Sequence, residues 1–586
     1  MPDDDRDFRL RPGKIRSAQN GKPKTFLNQV LRAAKKAGSH SAGHGSGSRK
    51  ASGPSRFGRG RYVFGRSRLF SSSRRVTIKT RITRQTGKAY RSSGLSQHLT
   101  YLKREGVTRD GDRAEMFDAA GDQANESAFV ERCKDDRHLF RFIIAPEDAA
   151  EMEDLHSFTR DLASQMEKDL GTKLDWVAVD HWNTDNPHVH LLVRGVDETG
   201  ADLVISRDYI SHGMRSRAED LASLELGPKP EHEIRASLER ETTAERWTSL
   251  DRQIKSLSDE LGIVDMRPER PGPEDPLVRR LMLRRLQYLE SLGLAAGDGA
   301  GLWTVAREAE TRLRDLCMRG DIIKTMHRAL SEKGVDRKAD EYVIEPPDQV
   351  RAIIGRLVAT GLHDELSGEA YAIIDGVDGK AHHIRFKGVE AFDHAPAYGG
   401  IVELRRFGGP EDEHPTLVLA TRSDLDITRQ VTAPGATWLD HRLVERSATD
   451  ISHRGFGEAV HRALNDRAEH LIKEGHAHRE GERIIFRKDL LSTLRSREVH
   501  EACARIAKER GRTFNPTSPG GSVAGAYRET IRLSSGRFAM INDGLGFQLV
   551  PWSPSLEKNL DRQVSGIARS DGGVDWRLGR SRGLGL

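Results

Sequence analysis

Residues 180–190 read Asp-His-Trp-Asn-Thr-Asp-Asn-Pro-His-Val-His and continue into Leu-Leu-Val-Arg. His188 and His190 are separated by Val189, and in a β-strand residues i and i+2 project from one face. Two imidazoles therefore stand side by side. His181 precedes them across a polar turn and can fold back over the same face. Three neutral imidazoles converging on a point form a divalent-metal site with positions left open for substrate. A lone His-x-His would read more simply as a surface strand; the third histidine, the turn and the flanking strands argue for the metal. Such a metal activates water or polarises a phosphate whose oxygen it binds. A metalloprotease would show His-Glu-x-x-His on a helix, and a zinc deaminase Pro-Cys-x-x-Cys. Neither motif is present, which leaves phosphodiester chemistry.

That chemistry calls for a nucleophile. Tyr101 lies on the short helix expected over Gln97-His98-Leu99-Thr100-Tyr101-Leu102-Lys103-Arg104. Lys103, Arg104 and Arg109 are near it in sequence, and cations favour a phenolate and attract DNA. Spacing alone fits a packing residue of an amphipathic helix equally well. Trp182 can stack on a base or fill a core. Arg194, Arg207, Arg215 and Arg217 can line a DNA groove, or simply be solvated helix charges.

The elements that must position these groups alternate. Val76 to Ile82 and Leu139 to Ala145 read as strands. Pro146-Glu147-Asp148 reads as a helix start, with proline and acids in the first turn, and that helix runs to Leu170. Asp175 to His181 and His188 to Gly195 are strands joined by a short turn, hence antiparallel. Arg207 to Leu226 reads as a helix. The fold class is α+β, an antiparallel sheet with helices packed on one side.

The chain is too long for one core at 586 residues, and a prior of about 150 residues per domain gives three to four. Residues 1–75 hold 19 Lys and Arg against 4 Asp, a net +15 that leaves −9 on the remainder of a chain of net +6. This Gly/Ser-rich basic arm is expected to be disordered and to contact DNA phosphates or another component of a DNA complex. Residues 76–240 form the histidine-bearing domain. Met266 to Pro276 is a proline-rich linker. Residues 241–370 are expected to be helical and winged-helix-like, with Leu277 to Leu292 as a helix before a hairpin. A helix before a hairpin recurs over Ala459 to Phe486, inside a helical-plus-β region at 441–586. Residues 371–440 suggest a small β-barrel, and Tyr527 to Trp552 a further β segment with an Asn-Asp-Gly hairpin. Mean hydropathy is −0.62 and no apolar run reaches the ~18 residues of a membrane span. No membrane insertion is therefore expected. No secretory signal is visible, and Cys133, Cys317 and Cys503 make no pair or zinc spacing. A reduced cytoplasmic location follows.

The segments GLSQHLTYLKREGV and VDHWNTDNPHVHLLVRG resemble the relaxases, or mobilisation nucleases, of the HUH endonuclease superfamily, nearest to the branch containing the Agrobacterium border-nicking relaxase. The resemblance covers residues 76–240. It implies that Tyr101 attacks the scissile phosphate at an origin of transfer, leaving a 5′-phosphotyrosine and a free 3′-OH. It implies His181, His188 and His190 as ligands to Mg²⁺ or Mn²⁺. Single-stranded DNA would be the substrate. Relaxosome accessory proteins and the coupling protein of a type IV secretion system would be partners, and the protein itself a passenger into the recipient. The blocks Arg319 to Arg328 and Ser535 to Trp552 resemble a C-terminal extension of unknown function in one relaxase subgroup.

Two positions depart from the family. Asn183 stands where an acid is common; it can orient a histidine but cannot accept a proton, so Asp180 and Asp185 are the candidates to stand in for that acid. Ala145 stands before Pro146 where Ser is usual, removing one hydrogen bond. There are three rivals, and these departures add weight only to the second. The first is a rolling-circle replication initiator, which generally places its tyrosine after the histidines, unlike Tyr101. The second is a non-catalytic DNA-binding regulator with a degenerate nuclease domain. A third rival is a water-using phosphoesterase in which Tyr101 is structural.

Overall fold

The computed structural model describes residues 71–84, 95, 98–100, 102–103, 108–109, 112–182, 186–259, 261–267, 275–344, 352–392, 394–407, 416–445, 451–569 and 573–577. The chain divides into two compact units, the first ending at Asp321 and the second beginning at Ile322.

The first unit opens with β1 (Val76–Arg84), helix α1 (Glu126–Arg132), β2 (His138–Pro146), α2 (Leu155–Leu170), β3 (Trp176–His181) and β4 (His188–Arg194). The four strands form one sheet in the order β1-β2-β4-β3, and every pairing is antiparallel. One face carries Phe140, Phe142, Ile144, Ala178, Val189 and Leu191, packed against Leu155, Phe158, Leu162 and Met166 of α2. The other face carries Leu139, Val177, Val179 and Leu192, packed against Phe129 of α1 and against Leu95, Leu99 and Leu102. Those three leucines recur at helical spacing, and the residues described there are helical up to Leu102. Helical residues therefore cover both faces, where the sequence suggested one. The reason is in β3 and β4, whose Trp-Val-Ala-Val and Leu-Leu-Val runs do not alternate and must be buried on both sides.

The helix expected at Pro146 begins nine residues later. Pro146 pairs with Val76 at the end of β2, and Asp154 caps α2 by accepting the amides of His156 and Ser157. The helix read over 207–226 runs without a break. A π-helical turn, Tyr209–Met214, leads into α3 (Arg215–Leu226). A Cβ at Gly213 would lie 2.6 Å from the Tyr209 ring, so the turn closes only over glycine.

Next come α4 (Glu231–Glu241), α5 (Ser249–Leu257), β5 (Ile263–Asp265), α6 (Pro276–Ser291), the hairpin β6 (Ala295–Gly297) and β7 (Leu302–Val305), and α7 (Ala309–Ser331). The second unit continues with β8 (Tyr342–Ile344), β9 (Ile353–Asp364), β10 (Glu369–Gly376), β11 (Ala381–Phe386), β12 (Ile401–Phe407) and β13 (Thr416–Ser423). Then α8 (Ile427–Val431), α9 (Trp438–Val444), α10 (Gly455–Lys473), the hairpin β14 (Ala477–Glu480) and β15 (Arg483–Phe486), and α11 (Leu490–Arg510) follow. The last elements are β16 (Thr513–Phe514), β17 (Ser522–Leu533), β18 (Gly536–Asn542), β19 (Gly546–Pro551), α12 (Pro554–Glu557), β20 (Gln563–Ala568) and β21 (Val574–Trp576). Among the described residues no helix is long and apolar enough to cross a membrane.

This succession states one pattern twice. Three helices, a hairpin, a long helix and six strands recur from α4 to β13 and from α8 to β21, the first copy adding β5 between its second and third helices and the second adding α12 among its six strands. The two six-stranded sheets share a topology: β13-β12-β9-β10-β11-β8 matches β21-β20-β17-β18-β19-β16 position for position. In each, the first strand pairs in parallel with the fourth.

The helical parts agree at the level of single hydrogen bonds. Thr248 and Asp251 form a capping box on α5, and Thr437 and Asp440 form one on α9. Arg285, on α6, donates through Nε and Nη2 to Asp251 and through its two Nη groups to the carbonyls of Thr242, Ala244 and Arg246. Arg467, on α10, does the same to Asp440 and to the carbonyls of Val431, Ala433 and Gly435. The three carbonyls lie six, four and two residues before the capping threonine in both copies. Glu241 and Gln430, each seven residues before it, accept the amides of Leu250 and Leu439 respectively. The region from α4 onward is an internal duplication.

Candidate metal centre

The β3–β4 hairpin sets the histidines in register. His181 pairs directly with His188, and Val179 with His190. His188 and His190 share the face of Leu192, and His181 that of Val179, so all three project toward the core that holds Leu99 and Leu102. Their relative exposures are 0%, 2% and 3% for His181, His188 and His190. Ring centroids lie 4.5 to 5.4 Å apart. One ligand nitrogen from each falls within 4.8 Å of the others.

Two hydrogen bonds orient the rings. The Nε2 of His181 lies 2.7 Å from the carbonyl of Leu102. Donation there places the proton on Nε2 and the lone pair on Nδ1. His188 Nδ1 lies 3.0 Å from the carbonyl of Asn186, which leaves Nε2 as its lone-pair nitrogen. His188 Nε2 and His190 Nε2 are 3.2 Å apart. Nitrogens bound at ~2.0–2.1 Å to one ion stand about 3 to 3.4 Å from each other. The spacing, the burial and the carbonyl-fixed tautomers fit three imidazoles that share a divalent ion. The Leu102 carbonyl also joins the site to the residue that follows Tyr101 in the chain. Tyr101, Arg104, Asn183 and Asp185 lie outside the described residues.

Asp180 sits on the opposite face from the histidines, since Ala178 on the same side belongs to the α2 core. Its carboxylate accepts the Trp182 indole N–H and lies 3.1 Å from Nε2 of His156. His156 Nδ1 is 3.1 Å from Asp122, and its ring stacks on Phe117 at 3.9 Å. Asp180 therefore orients Trp182 and His156 rather than a histidine of the cluster. Trp182 packs against the α2 core, with the Arg109 guanidinium 4.2 Å above its ring.

Three of the cations proposed for DNA are already engaged, Arg217 by a bidentate pair with Asp169 at 2.9 and 3.0 Å. Lys103 is ion-paired with Glu126. Arg194 is bidentate to Asp136 at 2.9 Å and reaches Asp175 at 3.2 Å, well along β4 from His190. The Asp136 bond, against the opposing effect of burial, holds its pKa above the ordinary arginine value. His156 and its two aspartates left no local sequence signal, because they meet across 24 and 34 residues.

Burial disfavours a charged His156, but the hydrogen bond and charge of Asp180, aided by Asp122, outweigh it and raise the pKa above 6.5. Burial likewise opposes ionised Asp180, yet bonds from His156 and Trp182 hold its carboxyl below the usual range. A group raised on folding stabilises fully below its unfolded pKa and loses that effect as pH climbs through the folded one. The contribution of His156 is therefore complete below pH 6.5 and fades above it. His156→Gln should abolish this part of the alkaline decline in thermal stability. The same decline in the variant, measured by thermal melts from pH 6 to 9, would assign it to other groups.

Residues 80–221 match the family model of the MobA/VirD2-like relaxase nuclease domain. Residues 282–414 and 411–585 match that of a protein of unknown function, DUF3363. No curated protein and no solved structure matches the chain.

Proposed function

We propose, for a chain that belongs to the DUF3363 family and carries a MobA/VirD2-like relaxase nuclease domain, that DNA is nicked by transesterification on Tyr101. The substrate is a single strand at an origin of transfer. The observation that supports this best is the buried trio His181, His188 and His190, tied by His181 to the carbonyl of Leu102. A divalent ion held by that trio, Mg²⁺ or Mn²⁺, would supply stabilisation of the charge that builds on the phosphate oxygens.

The chain's own groups do the rest. The Tyr101 oxygen bonds to phosphorus as the bond to the 3′ oxygen breaks, and the phenol proton leaves through a base while the 3′ oxygen gains one. Asp180 is taken up by His156 and Trp182, which leaves Asp185 as the candidate base. The covalent 5′ link retains the energy of the broken bond, so the free 3′-OH can reverse the step. Relaxosome accessory proteins, a coupling protein, a cytoplasmic site of action and passage into a recipient belong to the same reading.

The test uses a labelled single-stranded library from the element that encodes the protein, with Mn²⁺ or Mg²⁺, on a denaturing gel. A metal-dependent, protease-sensitive adduct that Tyr101→Phe abolishes is expected. Cleavage without an adduct, unchanged in the Tyr101→Phe variant, would replace this reading with hydrolysis.

A further inference from the structure

The duplication supplies an internal comparison. α6 and α10 are equivalent, since each carries the fully buried arginine and each runs directly into a hairpin. Leu281, Leu286 and Leu289 of α6 face its core. The opposite stripe exposes Arg280, Arg284, Gln287 and Ser291, spaced four, three and four residues apart along one helical face. These four positions carry no acid, the exposed Glu290 beside them accepts the Gly297 amide, and no ion pair among the described residues engages Arg280 or Arg284. Arg279 flanks the stripe and is tied to the Arg267 carbonyl.

Counting from the buried arginine, the same four positions of α10 are Arg462, Asp466, Glu469 and Lys473, all exposed. Here the charges cancel. Glu469 pairs with Arg479 on its own hairpin, and Arg462 lies near Glu458. The two copies keep one scaffold and present opposite surfaces.

We propose that α6 of the first copy is a recognition helix for double-stranded DNA, and that α10 of the second copy has lost this role. A helix fits the major groove of a duplex. Arginine and glutamine can bond guanine and adenine edges there or bond phosphates, and the unneutralised positive stripe complements the polyanion. A helix that leads directly into a hairpin presents its outer face in the manner of a winged helix. This inference stands apart from the nicking reading, because it concerns duplex DNA and residues beyond the nuclease domain.

The full chain carrying both Arg280→Glu and Arg284→Glu tests it. Binding to a labelled 30-base-pair duplex and to a single-stranded 30-mer would be followed by anisotropy across salt. The basic N-terminal arm is common to all variants and cancels in the comparison. Duplex affinity near 0.1 M salt should fall about tenfold or more, and the slope of log affinity on log salt should drop by about 2. Single-strand affinity and the melting temperature should hold, and Arg462→Glu should change duplex binding less than about twofold. Unchanged duplex affinity and slope overturn the proposal, as does an equal loss on the single strand or an equal loss with Arg462→Glu. Adduct formation on a short single strand, measured on the same samples, reports the nicking reading separately.

Discussion

Replacing His190 with alanine should weaken Mn²⁺ binding by at least about a hundredfold. Disturbing a residue that merely supports a metal ligand typically costs 10- to 100-fold, and His190 is in the trio itself. Its Nε2 lies 3.2 Å from that of His188, and its ring is 97% buried by its surroundings, with 3% exposure. No described neighbour on the strand can take its place: Val189 and Leu191 point to the α2 core. Calorimetric titration of the full chain with Mn²⁺ reads the loss directly. Thermal melts give a second reading, since a ligand bound only by the folded state stabilises by RT ln(1 + [L]/Kd). The wild-type protein should melt higher as Mn²⁺ is added, and the His190→Ala variant should not. Equal shifts in the two proteins would remove the histidines from metal binding, whatever the variant does to DNA cleavage.

The histidine trio was legible because its logic is local. Period-two alternation placed His188 and His190 on one face, and the Asn-Pro turn brought His181 opposite His188. Asp180 was harder. Its neighbours in sequence suggested the site, whereas alternation alone already put it on the other face from His181. Its partner His156 comes from a helix 24 residues earlier, and only the packing of α2 on the sheet brings the two together. Lys103 and Arg194 looked like free cations for the same reason: Glu126 and Asp136 reach them only in three dimensions. The second cover on the sheet was also legible in principle. Continuous apolar strands mean two buried faces, and Leu95, Leu99 and Leu102 supply a matching stripe.

The duplication was half legible. A helix before a hairpin could be read at both places, and the short signatures Thr-x-Leu-Asp and Arg-x-x-x-Leu-x-x-x-Gly-x-Ala occur in both. Their meaning was hidden, because three of the acceptors that hold each arginine are backbone carbonyls, which any sequence provides. The matching strand order was hidden too, since it depends on pairings between distant segments.

Arg467→Met should therefore destabilise the second unit by about 3–5 kcal/mol, the range for breaking a buried ion pair from one side. All five N–H donors of Arg467 are used, two on Asp440 and three on carbonyls. Arg467 and Asp440 are both fully buried, with side-chain exposures of 1% and 0%. Methionine fills much of the volume but leaves a buried carboxylate and three carbonyls without these donors, and that desolvation is the larger cost. Asp440→Asn in the same chain should recover part of the loss, because it removes the uncompensated charge while keeping a side-chain oxygen for the Thr437 cap. Denaturant unfolding of the variants, followed by fluorescence, measures both effects. Arg285→Met should behave alike in the first unit, since Arg285 and Asp251 are both at 0% exposure. A loss below about 1 kcal/mol at either site would mean that water replaces the guanidinium, and that the arginine is not what holds the three helices of each copy together.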